Sequence, residues 1–170
     1  FKAYLVGNTS INTNGDGEIQ ISEGAFFNGS IICDSMNISD LTGIESFSSL
    51  QILNCSYNQL INLDLSSNYE LEELYSNNNQ LTSLILINNS DLKYLDCRYN
   101  TLINLDIGYH SLLFYLDCGH NQLTNLDLTN CSILNKFFCD NNQLTNLDLG
   151  INTSLTSLYC RNNQIITINI

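Results

Sequence analysis

The stretch LQILNCSYNQLINLDLSSNYE, Leu50 to Glu70, recurs five more times, the last copy incomplete. Blocks open at Leu50, Leu71, Leu92, Leu113, Leu134 and Leu155, at one constant spacing with no insertion or deletion. A fixed period of that length marks a stack of similar coils, each burying its apolar residues only against its neighbours. The shared pattern is L-x-x-L-x-C-x-x-N-x-L-x-x-L-D-L-x-x-N-x-x. In the first block Leu53, Cys55, Asn58, Leu60, Leu63, Leu65 and Asn68 fill the marked places.

The opening L-x-x-L-x-C-x-x-N-x-L resembles the leucine-rich-repeat signature, in which a short parallel strand at the L-x-C segment is followed by a turn held by the Asn. The second half of each block repeats L-x-x-L-x-L-x-x-N, a nested repeat. The whole is similar to the bacterial leucine-rich-repeat subclass called IRREKO, whose members occur in surface and secreted proteins. That resemblance implies a repeat solenoid, a compact right-handed coil that is β-rich, with parallel strands on two sides and little helix outside the N-terminal cap. The residues agree independently, because Thr, Asn, Asp and alternating Leu give no 3.6-residue apolar stripe for a convex-side helix. The division expected is a cap and transition coil over 1–49 and six repeats over 50–170, in one structural domain. Ile31, Cys33, Ile38 and Leu41 of the transition coil match repeat positions if that coil is allowed one extra residue.

Stacked parallel strands place equivalent residues of successive blocks over one another. Asn58, Asn79, Asn100, Asn121, Asn142 and Asn163 then form an unbroken column, suited to pairing backbone groups of neighbouring turns. Cys33, Cys55, Cys97, Cys118, Cys139 and Cys160 form a second column interrupted by Ser76. An odd total of seven cysteines at regular spacing reads as reduced core thiols used as small hydrophobes; disulfides and metal binding are the alternatives. Cys131 stands where Asn68 stands in the first block. Asp64, Asp106, Asp127 and Asp148 form an acidic column, read as a solvated face, with a ladder of divalent ions as the alternative.

The N-terminal section departs from the repeat. Phe1 to Val6 and Ser22 to Phe27 read as short helices around a polar loop, Asn12-Thr-Asn14-Gly-Asp16-Gly-Glu18-Ile-Gln-Ile-Ser-Glu23. It resembles the calcium loop of EF-hand and dockerin-type proteins, with Asn in place of the first Asp. The resemblance implies a structural Ca²⁺ held by Asn12, Asn14, Asp16, the Glu18 carbonyl and Glu23, with weak affinity on the order of 10⁻⁴ to 10⁻³ M. An ordinary Asn/Gly turn capping a helix is the other reading.

Outward positions carry whatever function exists. Tyr75, Tyr94, Tyr115, Phe138 and Tyr159 fall on one strand face, flanked by Tyr57, Tyr99 and His120, with Arg98 and Arg161 beside them to steer acidic groups. Aromatic and Arg side chains anchor protein interfaces, so this is the candidate ligand-binding face; a ladder that only stabilises the sheet is the alternative. A net charge of −12 with five basic residues excludes binding to a phosphate backbone or an anionic membrane. No apolar run is long enough to cross a bilayer. Catalysis has no constellation behind it: His120 and Cys118 point to opposite sides of the strand.

The function expected is an extracellular or cell-surface module that recognises a protein partner, in adhesion or in host or matrix contact. A carbohydrate-binding module and a passive spacer are the rival readings. Residue 1 is Phe and the chain stops midway through the sixth block. A removed leader, further repeats or an anchoring domain are therefore expected beyond it, or end-to-end self-association through the open C-terminal coil.

Overall fold

A computed structural model describes residues 1–170. Two short helices, α1 (Lys2–Gly7) and α2 (Ile21–Phe26), form the cap. The rest is a solenoid whose front is a seven-stranded parallel sheet of three-residue strands. In spatial order these are β1 (Ser30–Ile32), β2 (Ile52–Asn54), β4 (Glu73–Tyr75), β6 (Tyr94–Asp96), β7 (Tyr115–Asp117), β8 (Lys136–Phe138) and β10 (Ser157–Tyr159). Leu53 pairs with Leu74, Leu74 with Leu95, Leu95 with Leu116 and Leu116 with Phe137, so the period of the sequence is the register of the sheet. At the N-terminal end Ile31 pairs with Leu53, the one step that is a residue longer than the rest.

The back carries β3 (Asn62–Asp64) paired with β5 (Ser83–Ile85), and β9 (Asn146–Asp148) paired with β11 (Thr167–Asn169). The equivalent segments 104–106 and 125–127 are not strands, so the expected second extended side is continuous only near the two ends. No helix follows Ser46, where a single 3-10 turn, Ile44–Ser46, closes the transition coil.

Thirty-eight buried residues from Leu5 to Leu149 form one apolar cluster along the axis. The amides between coils are held by two side-chain columns. In the first, the Asn121 Nδ2 donates to Cys97 O and Cys118 O at 3.0 and 3.1 Å, and its Oδ1 accepts the Leu102 N–H at 3.0 Å. Asn58, Asn79, Asn100, Asn142 and Asn163 repeat the geometry, each tying its own coil to the one before. In the second, Asn68, Asn89 and Asn152 donate to two carbonyls each, while His110 and Cys131 reach one, at Leu86 O and Ile107 O. Cys131 is therefore a weak donor in the place of an amide.

The cysteine column is free and, except for half-buried Cys160, fully covered. Cys55 and Cys118 donate S–H to the next coil's carbonyl, at Tyr75 O and Phe138 O, and Ser76 donates its hydroxyl likewise to Asp96 O. That shared bond explains how serine can interrupt the column. Burial pushes the Cys33 thiol up to about 11, and the deeper thiols rise for the same reason, which suppresses thiolate chemistry.

Candidate functional site

The front sheet gathers the aromatic residues that the strand alternation assigns outward. Tyr75 of β4, Tyr94 of β6, Tyr115 of β7, Phe138 of β8 and Tyr159 of β10 form one continuous stack, one ring per strand. Successive ring centroids lie 4.8, 4.0, 5.5 and 5.1 Å apart. Tyr94 and Tyr115 are nearly parallel, at 7°, and cover each other's faces. Four such contacts at about 0.5–1.5 kcal/mol each make the ladder a stabilising element of the sheet in its own right. The stacking also bears on sugars, which pack on open ring faces. Interior rings of this ladder present edges, so the side-by-side platform expected of a carbohydrate module is not formed.

A second, shorter stack runs beside the first: Tyr99 and His120, at 4.1 Å and 16°. These two and Tyr57 sit in the turn after the strand, with φ of 54° at all three. Their equivalents in other blocks, Asn78, Asn141 and Asn162, share the left-handed conformation, which Asn and His tolerate and Tyr rarely adopts. Bulky rings are thus held out from the surface at positions where local preference favours Asn.

In the same register row as Tyr75 and Phe138 lies a pair the expected site did not include. Asp96 and Asp117 face outward in register on β6 and β7, yet they are only 4% and 6% exposed. Arg98 lies across both, its Nε 3.4 Å from Asp96 Oδ2 and its Nη1 3.3 Å from Asp117 Oδ2. Burial pushes the Asp96 carboxyl up to about 6, against the pull of Arg98, and Asp117 moves the same way from the same cause. One cation serves two covered carboxylates. Arg161 is likewise held, 3.7 Å from Asp140 with its guanidinium 5.9 Å from the Tyr159 ring centroid, and Lys93 pairs with Glu72 at 2.6 Å. The arginines expected to steer acidic ligands are therefore already engaged by the chain's own carboxylates. The repeated Tyr-Leu-Asp-Cys of two adjacent blocks, Tyr94–Cys97 and Tyr115–Cys118, was the available sequence signal for this pair.

The acidic column of the back has a local explanation. Asp64, Asp106, Asp127 and Asp148 each accept the backbone N–H two residues on, from Ser66, Gly108, Thr129 and Gly150, so each closes a turn.

In the cap, the carboxylates of Asp16 and Glu23 converge on Asn14. Its Nδ2 donates to Asp16 and its backbone N–H to Glu23. Asn12 Oδ1 accepts the Gly15 N–H, and its Nδ2 donates to Val6 O and Asp16 O. Glu23 also accepts from Thr13 and Gln20, the latter forming a capping box for α2. These hydrogen bonds hold both carboxyls below their usual range, chiefly the Glu18 N–H for Asp16 and the Gln20 N–H for Glu23. The Glu18 side chain turns away to Lys2 at 2.6 Å, leaving only its carbonyl for the loop. No three carboxylate, His or Cys side chains gather there as a metal cluster, and the Asp16 and Glu23 oxygens accept from the loop's own N–H groups, bonds a hard cation would have to displace.

No protein-family model matches the chain, and no curated protein matches it. Solved structures do. The functional domain of InlJ from Listeria monocytogenes, which includes a cysteine ladder, is 29% identical over 96% of this chain and 45% of that one, with a TM-score of 0.61. An internalin from the same organism, InlF, superposes with a TM-score of 0.73 over 89% of this chain and 51% of its own, at 24% identity. YopM, a leucine-rich effector protein from Yersinia pestis, is 31% identical over 72% and 40%, with a TM-score of 0.61. The fold is a leucine-rich-repeat solenoid. The chain spans about half or less of each of these three proteins. Its own column of free cysteines is similar to the feature described in InlJ, and no helix is long and apolar enough to cross a membrane.

Proposed function

We propose that this solenoid is an extracellular or cell-surface binding module that recognises a protein partner through its front face, in adhesion or in host or matrix contact. The observation that carries the reading is the five-ring stack, one ring on each of five adjacent strands, extended by Tyr57, Tyr99 and His120. Rigid aromatic surface costs little conformational entropy to bring to an interface, and such side chains dominate hot spots. Likeness to the functional domain of InlJ and to YopM, a leucine-rich effector protein, supports a binding role. The cap loop is proposed to hold one Ca²⁺ through Asp16, Glu23, Asn12, Asn14 and the Glu18 carbonyl, stiffening the N-terminal end.

The test is a front-to-back comparison. A photo-crosslinking residue at Tyr57 or Tyr99 identifies the partner, and its affinity is then measured for Tyr94→Ala with Tyr115→Ala and for Ile87→Ala on the back. The front pair should weaken binding by roughly 30-fold or more, the magnitude of a hot-spot loss. The back variant should bind as before. Equal affinity for wild type and the front pair would remove the face from the mechanism.

A further inference from the structure

Beside the ladder, at the level of β4 to β8, the surface opens into an apolar pocket of about 360 Å³ lined by Glu73, Lys93, Tyr94, Leu112, Phe114 and Ile133. Leu112, Phe114 and Ile133 are 41%, 48% and 42% exposed, although each is large and apolar. They belong to the turns that enter β7 and β8, where the Phe114 N–H bonds Lys93 O and the Asn135 and Lys136 N–H groups bond Phe114 O. The pocket is thus built on the rigid ladder of the sheet and shares Tyr94 with the aromatic stack. A shallow apolar depression on a rigid sheet, sharing Tyr94 with the ring stack, can receive an anchor side chain of a partner.

The charges around it say what accompanies that anchor. Of the four basic residues on the front, Lys93 is paired with Glu72, Arg98 with Asp96 and Asp117, and Arg161 with Asp140. Lys136 alone has no ion pair. On the acidic side, Glu73 at the pocket rim accepts a hydrogen bond from the Tyr75 hydroxyl and has no cation, whereas Asp96 and Asp117 are covered and already share Arg98. The chain as a whole carries −12. An incoming acidic segment meets little free positive charge, whereas an incoming cation meets the unpaired Glu73 at the pocket rim.

Building on the proposed protein-binding face, we infer that the partner docks through a basic segment, in which a large apolar side chain fills the Leu112–Phe114–Ile133 pocket and a neighbouring Lys or Arg lies against Glu73 at its rim. The probes are short synthetic peptides of the type Gly-Ser-Phe-Lys-Gly-Ser, with versions carrying Gln or Glu for the Lys and Ser for the Phe. Binding is read as methyl and aromatic NMR shifts in the intact protein. The Phe-Lys peptide should shift Leu112, Ile133 and Tyr94 resonances saturably. Replacing Lys by Glu should weaken this at least tenfold, and replacing Phe by Ser should abolish it. Ile133→Asp, an exposed change that leaves the core alone, should abolish it too, and 0.5 M salt should weaken it.

Shifts of equal or greater affinity from the Glu peptide, centred on Lys136 and Tyr159, would overturn the basic-partner inference while leaving the face intact. No saturable shift on the front from any of the peptides would overturn the pocket assignment. The Tyr94→Ala with Tyr115→Ala measurement then reports separately on the face itself.

Discussion

Replacing Asp96 by Asn should stabilise the protein at neutral pH. Removing a residue from an ion pair usually does the opposite, so the expectation rests on the geometry. Asp96 and Asp117 are buried and share one guanidinium. The Asp96 carboxyl rises from 3.8 to about 6, chiefly through burial. A carboxyl that binds its proton more tightly when folded makes its most favourable contribution below the unfolded value near pH 4. That contribution is lost as pH rises through 6. Two pKa units amount to about 3 kcal/mol at pH 7.5. That figure already includes the attraction to Arg98; Asn keeps the Oδ1 that accepts the Arg98 backbone N–H and leaves Arg98 to Asp117, but it buries an amide N–H₂ in the place of a carboxylate oxygen. The net gain is then about 1–2 kcal/mol, or roughly 3–6 °C in Tm for a chain of this size. The assay is urea denaturation of wild type and Asp96→Asn from pH 4 to 8, with their difference plotted against pH. It should grow between pH 4 and 6 and level off above. Arg98→Gln, which leaves both carboxylates without a cation, should lose about 2 kcal/mol at pH 7.5 and recover much of it at pH 5. A loss above about 1 kcal/mol for Asp96→Asn at pH 7.5, or a difference that does not change with pH, would refute the reasoning. The exposed carboxyls held low by turn hydrogen bonds, such as Asp16, Asp64 and Asp127, act below pH 4 and with the opposite sign, so they do not confuse the window.

Asn121→Ala strands the Leu102 N–H and two carbonyls inside the stack and should cost about 3–5 kcal/mol by urea melt, against about 1 kcal/mol for the same change at half-exposed Asn163. A chelator should lower the melting temperature of a calcium-loaded sample, and Glu23→Gln should abolish the response; identical melts with and without calcium would reduce the cap loop to a turn. Tyr57→Asn should raise stability by about 0.5–1 kcal/mol by relieving a bulky residue at φ 54°, while weakening partner binding. A stability loss there would mean that the ring is held by contacts worth more than the strain.

What the sequence made legible follows from period and alternation. A constant repeat length determines which side chains lie over which, so the Leu, Asn and Cys columns, the direction of the strands and the grouping of Tyr75, Tyr94, Tyr115, Phe138 and Tyr159 could all be read from spacing alone. Alternation gives direction only, and burial is a separate quantity. Asp96 and Asp117 point outward as the pattern requires, and are buried on a face where Arg98 lies across both and Tyr75 and Phe138 flank them in register. That depends on side-chain size across adjacent strands, which no single-strand pattern encodes. Charge pairing failed to show for the same reason. Arg98 to Asp117 is a contact between one coil and the next, so counting basic residues on the face suggested free positive charge where the structure has almost none.

The pocket arises differently. Leu112 and Ile133 lie in turns, where an apolar residue in a repeat protein reads as part of the next core position, and only the path of the backbone into β7 and β8 shows that they stay outside it. The turn after the strand holds the most informative mismatch. Every block places that residue in the left-handed region. Three blocks satisfy it with Asn, and three fill it with Tyr57, Tyr99 and His120, beside the aromatic ladder. Tyr99 and His120 recover part of the cost by stacking on each other, whereas Tyr57 has no ring partner to offset its conformation. At Tyr57 the ring is explained if it serves the proposed binding face, and that is why the Tyr57→Asn variant separates stability from binding where Tyr99 and His120 would not.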